Sequence, residues 1–291
     1  MQGSATPPPD DELRPEKYAI VRELFVDTAD DNYITGRWCY SQGLFVDFGW
    51  LAVHALEKYL KAVLLLNGRS SIGYGHDVTA LYRDVMSIGR DLLPDSLDKP
   101  ARFTEHWQEE TPAAYLERLY SSGNADNRYL LFGYSLMRED LFKLDRMVFS
   151  VRRLCTVLDE PYLSASVRRD LGQSEPGMHD FTTREFLLRR SDYWQSVAGG
   201  KLAEAIAGKR GEYLQGVVLN YNLAFAPNDY EHPGMPLPWA AHNSILLRHI
   251  IEPLNSEAPP SVKDFARETR DWVVANIQLP RETKRELLAA D

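Results

Sequence analysis

The run from Gly43 to Arg69, GLFVDFGWLAVHALEKYLKAVLLLNGR, constrains this chain more than any other segment. On a helix of about 3.6 residues per turn, Phe45, Phe48, Ala52, Ala55, Leu56, Tyr59, Leu60, Val63 and Leu64 cover most of the circumference. A helix that is apolar nearly all round must be wrapped by neighbours, so this one reads as the central member of a bundle. Its polar positions gather in one narrow stripe: Asp47, His54, Lys58 and Lys61 follow at intervals of seven, four and three residues. Glu57 lies beside the stripe as an i,i+4 partner of Lys61. Asn67-Gly68 supplies the stop, as Gly does past a helix C-terminus. The most apolar part, Tyr59 to Leu66, is interrupted by Lys61 and far too short to span a bilayer.

The flanking sequence supplies helices to wrap it. From Tyr18 to about Ser41, Leu24, Phe25, Ala29, Tyr33 and Tyr40 recur at steps of three and four. Asp77 is placed to cap a further helix carrying Val78, Leu81, Val85 and Ile88 on its apolar side. Pro112 to Tyr120 predicts a short helix, and Leu136 to Leu158 a last bundle helix. Residues 1–15, with three consecutive prolines and an acidic cluster, read as a disordered leader without a secretion signal. Residues 159–180 hold Pro161, Gly172, Pro176 and Gly177 and read as a connection. Beyond it, Phe181 to Ala207 is amphipathic and helical. Val217, Leu219, Tyr221, Leu223 and Phe225 alternate as a strand would, with a buried helix as the other reading. Residues 239–252, 261–277 and 281–290 predict closing helices. The expected fold is therefore mainly α: a four- or five-helix bundle over 16–158, then a helical region over 181–291 with room for one short strand.

Charge and cysteines narrow the function classes. The 291 residues carry a net charge of −9. Cut after Leu158, the two parts hold 18 basic against 23 acidic residues and 15 against 19, so neither is a basic module. Tight nonspecific DNA binding is not expected of such a chain. Two cysteines, Cys39 and Cys155, exclude a disulfide scaffold and suit a reducing, cytoplasmic setting as small buried hydrophobes. No HExxH, CxxC, GxSxG, P-loop or GxGxxG occurs. Asp229, Glu231, His232 and His242 match no standard metal spacing, so neither a metal nor a cofactor is expected. Trp38, Trp50, Trp107, Trp194, Trp239 and Trp272 read chiefly as core rather than as base-stacking platforms.

Three pieces carry a resemblance to a known family: HALEKYLKAVLLLNG, then GHDVTALY, then NADNRYLLFGYS. Together they resemble the HEPN domain, a helical bundle named for nucleotide binding in higher eukaryotes and prokaryotes. The likeness covers roughly residues 20–158. It implies a bundle that often forms a homodimer and works on nucleotides or RNA, in toxin–antitoxin and defence settings among others. Nuclease members place an Arg, four to six residues, then a His near the start of the last helix. There the His shuttles a proton and the Arg stabilises charge on the phosphorane. This chain has Arg128 at that place, but Gly133, Tyr134 and Ser135 stand where the His belongs. Arg69 and His76 have the right spacing, with six residues between, in the loop after the central helix. The candidate catalytic residues are thus Arg128, Tyr134, Arg69 and His76. The candidate ligand-binding residues are His54, Glu57, Lys58 and Lys61, which equally suit an ordinary polar helix face. The leading expectation is a noncatalytic or weakly catalytic HEPN-like module that binds a nucleotide, an RNA or a protein. A metal-independent ribonuclease and a ligand- or partner-binding regulator are the alternatives.

Overall fold

A computed structural model describes residues 14–125, 127, 130–131, 133–161, 181–190, 199–233 and 240–290. The fold is mainly helical. Helix α1 (Arg14–Val21) runs through a π-helical stretch, Arg22–Asp27, into α2 (Thr28–Ser41). The central helix α3 (Phe45–Leu66) packs against α2, α4 (Val78–Gly89), α5 (Pro112–Gly123) and α6 (Asp140–Arg152). Its Ala52, Ala55, Leu56, Tyr59, Leu60, Val63 and Leu64 are buried, as an all-round apolar helix requires. Close approach to α5 depends on a glycine: a Cβ on Gly123 would stand 2.2 Å from the Gly49 carbonyl oxygen.

Local signals set the helix ends. The Asn67 side chain donates to Val63 O at 2.8 Å and to Thr156 O at 3.0 Å, tying the end of α3 to the segment after α6. Gly68 follows with φ +74°, the left-handed stop the sequence foretells. Asp77 caps α4, accepting from Thr79 N at 3.1 Å and Ala80 N at 2.9 Å. Thr111 caps α5, with Pro112 at its first position.

The C-terminal half continues as α7 (Thr183–Arg189), α8 (Gly200–Ile206), α9 (Glu212–Leu219), α10 (Glu252–Asn255), α11 (Pro260–Asn276) and α12 (Arg281–Ala289). A two-stranded antiparallel sheet joins β1 (Gly133–Leu136) to β2 (Ala240–Asn243), with Gly133 opposite Asn243 and Tyr134 opposite His242. One core spans the bundle and extends through Leu187, Leu202, Val218 and Phe225; a smaller one gathers Leu246, Ile250, Leu254, Ala266, Val273 and Leu287. Among the described residues no helix is long and apolar enough to cross a membrane. Cys39 and Cys155 are buried and unbridged.

Several sequence expectations are corrected. Of the helix expected over 239–252, residues 245–252 are helical, with a π-helical stretch at Leu247–Ile251, whereas Ala240–Asn243 form strand β2. The last bundle helix begins at Asp140 because Gly133–Leu136 is taken into the sheet. The alternating stretch 217–225 enters the fold as the end of helix α9 and the turns after it, not as a strand. The Arg37 guanidinium from α2 explains that outcome, since it donates to Val217 O at 3.0 Å and to Asn220 O and so satisfies carbonyls at the end of α9. The helix read over 181–207 is interrupted: α7 ends at Arg189, and α8 starts at Gly200 after Gly199, the two glycines having φ of +50° and +83°. The leader expected over 1–15 is shortened, since Arg14 opens α1; residues 1–13, the connection from 162 to 180 and Trp194 and Trp239 lie outside the described residues.

Buried charge clusters tie the elements together. Asp30 on α2 accepts from Tyr59 Oη at 2.6 Å, Arg152 Nε at 2.7 Å and Leu202 N at 2.8 Å. Asp145 on α6 pairs with Arg37 and accepts from Tyr33 Oη at 2.7 Å. Arg118 bridges Glu110 and Asp140 at 2.6 Å each, and Lys143 reaches Glu110 at 2.8 Å. Each charge has fixed partners, which is how a folded chain tolerates ions in its interior.

Candidate functional site

The polar stripe of α3 becomes a site because a loop folds back on it. His54, Glu57 and Lys61 lie at i, i+3 and i+7, one turn apart on one helix face. The loop between α3 and α4 turns at Gly73 and Gly75, with φ of +98° and +56°. Tyr74 Oη bonds to Asp84 on α4, and Lys61 Nζ donates to Gly75 O at 2.8 Å, so this part of the loop is tied to both α4 and α3. His76 is thereby delivered against α3.

Glu57 is the centre of the cluster. Its Oε1 accepts from Lys61 Nζ at 2.6 Å. Its Oε2 lies 3.3 Å from His54 Nδ1 and 3.0 Å from His76 Nδ1. The Glu57 side chain is 6% exposed and that of His76 is 66% exposed, so the carboxylate is the floor of the site and His76 its outer wall. Burial pushes the Glu57 carboxyl up. The hydrogen bonds from His54, Lys61 and His76 outweigh that and bring it down to about 2. The carboxylate therefore stays ionised at any physiological pH. The His54 ring meets Trp50 edge-on, with centroids 3.8 Å apart. His54 Nε2 is buried without a hydrogen-bond partner, so Nδ1 is the nitrogen of that ring with a polar neighbour.

The other sequence candidates separate from this cluster. Lys58, one residue on from Glu57, turns to Asn32 Oδ1 at 3.4 Å, and burial lowers its pKa. Arg69 donates to Ser87 Oγ on α4 at 2.6 Å. Tyr134 sits in the two-stranded sheet, stacked on His242 with ring centroids 6.1 Å apart. Arg128 lies outside the described residues. His232 accepts from Tyr221 N at 2.9 Å through its Nδ1. Asp229, Glu231, His232 and His242 do not form a potential metal-ligand group; among the described residues that description fits His54, Glu57 and His76.

Sequence reasoning named all four members of the cluster but split them between two roles. Glu57 and Lys61 could be paired from their spacing. The union of His76 with Glu57 had no sequence signal beyond the glycines of the loop, which allow the chain to double back. Beside the loop, a groove of about 720 Å³ runs between α4 and α5, lined by Asp77, Tyr82, Arg83, Met86, Glu117 and Tyr120. Tyr82 is buried, its hydroxyl has no hydrogen-bond partner, and burial pushes its pKa up to about 12. No family model, no curated protein and no solved structure matches this chain.

Proposed function

We propose that this chain is a noncatalytic HEPN-like binding module for a nucleotide- or RNA-type ligand, with the Glu57 cluster as its contact face. The observation that carries the reading is the convergence of His54, Lys61 and His76 on one carboxylate at an exposed edge of the bundle. His76 there offers an aromatic, hydrogen-bonding surface to a ligand, and the adjacent groove adds Arg83. A cytoplasmic homodimer acting in a toxin–antitoxin or defence setting, with a nucleotide, an RNA or a protein as partner, completes the proposal. The noncatalytic part rests on what the candidates bind: Arg69 donates to Ser87 and Tyr134 stacks on His242 in the sheet, while His76 bonds to Glu57.

One feature favours the ribonuclease alternative. A carboxylate bonded to the Nδ1 of an exposed imidazole orients the ring and leaves its other nitrogen as the one available to a substrate. The deciding test incubates purified protein with transfer and messenger RNA in EDTA, from about pH 6 to pH 9 to cover imidazole titration. Arg128→Ala and His76→Ala variants run beside it. The binding reading expects no cleavage and weaker retention of labelled RNA or nucleotide by His76→Ala. Cleavage that is lost in His76→Ala would make the chain a ribonuclease instead.

A further inference from the structure

We propose that His54, Glu57 and His76 form a binding site for a divalent transition metal of the Zn²⁺ type. Two imidazole nitrogens and one carboxylate oxygen are a donor set suited to such ions, each Nδ1 giving up the proton it shares with Glu57, to Nε2 or to solvent, as the metal binds. Around a tetrahedral zinc with bonds of about 2.0–2.1 Å, neighbouring ligand atoms stand roughly 3.3–3.4 Å apart. Here His54 Nδ1 and His76 Nδ1 lie 3.3 and 3.0 Å from Glu57 Oε2, and the ligand atoms of all three residues fall within 4.8 Å of one another. Two edges of a coordination polyhedron are thus already in place. The third closes by rotation of His76, the one member of the set that is largely exposed.

Each ligand has a distinct structural guarantee. His54 and Glu57 are fixed by one turn of a buried helix, so their spacing does not depend on the metal. Packing against Trp50 holds the His54 ring, and its Nδ1 faces Glu57. Lys61 occupies Oε1 and so orients the carboxylate with Oε2 toward the histidines, the part an outer-shell residue plays in metal sites. Lys61 also balances the negative charge of Glu57 while no cation is bound. The exposed side of His76 leaves a fourth position open to water or to a ligand, the arrangement of a zinc site that does more than hold a fold together. This inference does not rest on the RNA- or nucleotide-binding reading.

The test uses the full chain, stripped with EDTA and dialysed. Zn²⁺ is titrated by calorimetry, and Co²⁺ is titrated while the visible absorption is recorded. The expected result is one Zn²⁺ per chain and a Co²⁺ d–d band that saturates at one equivalent. His76→Ala and Glu57→Gln should each weaken binding by more than about tenfold, since loss of a ligand costs at least what loss of an outer-shell partner does. His106→Ala, which alters an exposed histidine outside the cluster, should change neither titration. Circular dichroism establishes that each variant is folded, and exposed His76 makes its alanine variant the safer of the two. The absence of saturable binding in the unaltered chain would overturn the site. So would wild-type affinity in either folded ligand variant.

Discussion

Asp30 and Glu57 are both buried carboxylates that collect cationic and hydrogen-bonding side chains, yet they sit in different kinds of place. The partners of Asp30 come from α3, α6 and the backbone of α8, and all are held within the core. The partners of Glu57 come from its own helix and from one loop, and His76 stands mostly in solvent. The first arrangement cannot exchange a partner without opening the bundle. The second can trade His76 or Lys61 for a ligand by moving one side chain. Closed charge clusters therefore specify which helices meet, whereas an open one on the same scaffold leaves a partner in contact with solvent. Residue type does not separate the two cases; access does.

The comparison breaks most readily at its closed end. Asp30→Ala leaves Arg152 buried beside α2 without its carboxylate, and it should cost about 3–5 kcal/mol in urea denaturation. A loss below about 1 kcal/mol would show that water reaches Arg152 and that the cluster is not closed. Glu110 should respond next most strongly. Glu110→Gln removes charged partners from Arg118 and Lys143 and should cost about 1.5–3 kcal/mol.

The same glutamate predicts acid sensitivity. Burial raises the Glu110 carboxyl, but hydrogen bonds from Arg118 and Lys143 hold it below 4.5. Its folded pKa is thus depressed, so its stabilising contribution is full above the unfolded value. That contribution drains away as pH falls through the lower folded value. Denaturation midpoints recorded from neutral pH down through the carboxylate range should fall, and Glu110→Gln should flatten that fall.

Two smaller effects sharpen the open end. Asp77→Ala removes the cap of α4, the helix that follows the His76 loop, and should cost about 1 kcal/mol. His76→Ala should change stability by no more than about 0.5 kcal/mol, as for a surface side chain, while removing the outer wall of the cluster. A large destabilisation by His76→Ala would move the Glu57 cluster into the structural class with Asp30.

Much of the bundle was legible in the sequence because its signals are local. The apolar circumference of α3, the Asn67-Gly68 stop, the Asp77 cap and the Glu57–Lys61 pair all act within about one or two helical turns, where spacing alone dictates contact. The Phe45–Leu66 core helix and the wrapping helices around it followed from that. Strand β2 was misread because Ala240–Asn243 carries no pattern of its own; it is a strand because Gly133–Leu136, far away in sequence, pairs with it. A Cβ on Gly133 would stand 2.0 Å from His242 O, so that pairing needs a glycine whose reason is invisible in sequence. Residues 217–225 were ambiguous until a guanidinium from α2 took up the carbonyls at the end of α9.

By itself, then, the sequence determined which segment must be central and which residues on it are polar, because helical periodicity is a property of neighbours along the chain. Only the tertiary structure decided that His76, 19 residues beyond Glu57, shares its carboxylate while Arg69 and Lys58 turn elsewhere. That outcome depends on how a glycine-bearing loop packs back across α3, and such packing is settled by contacts that no spacing rule encodes.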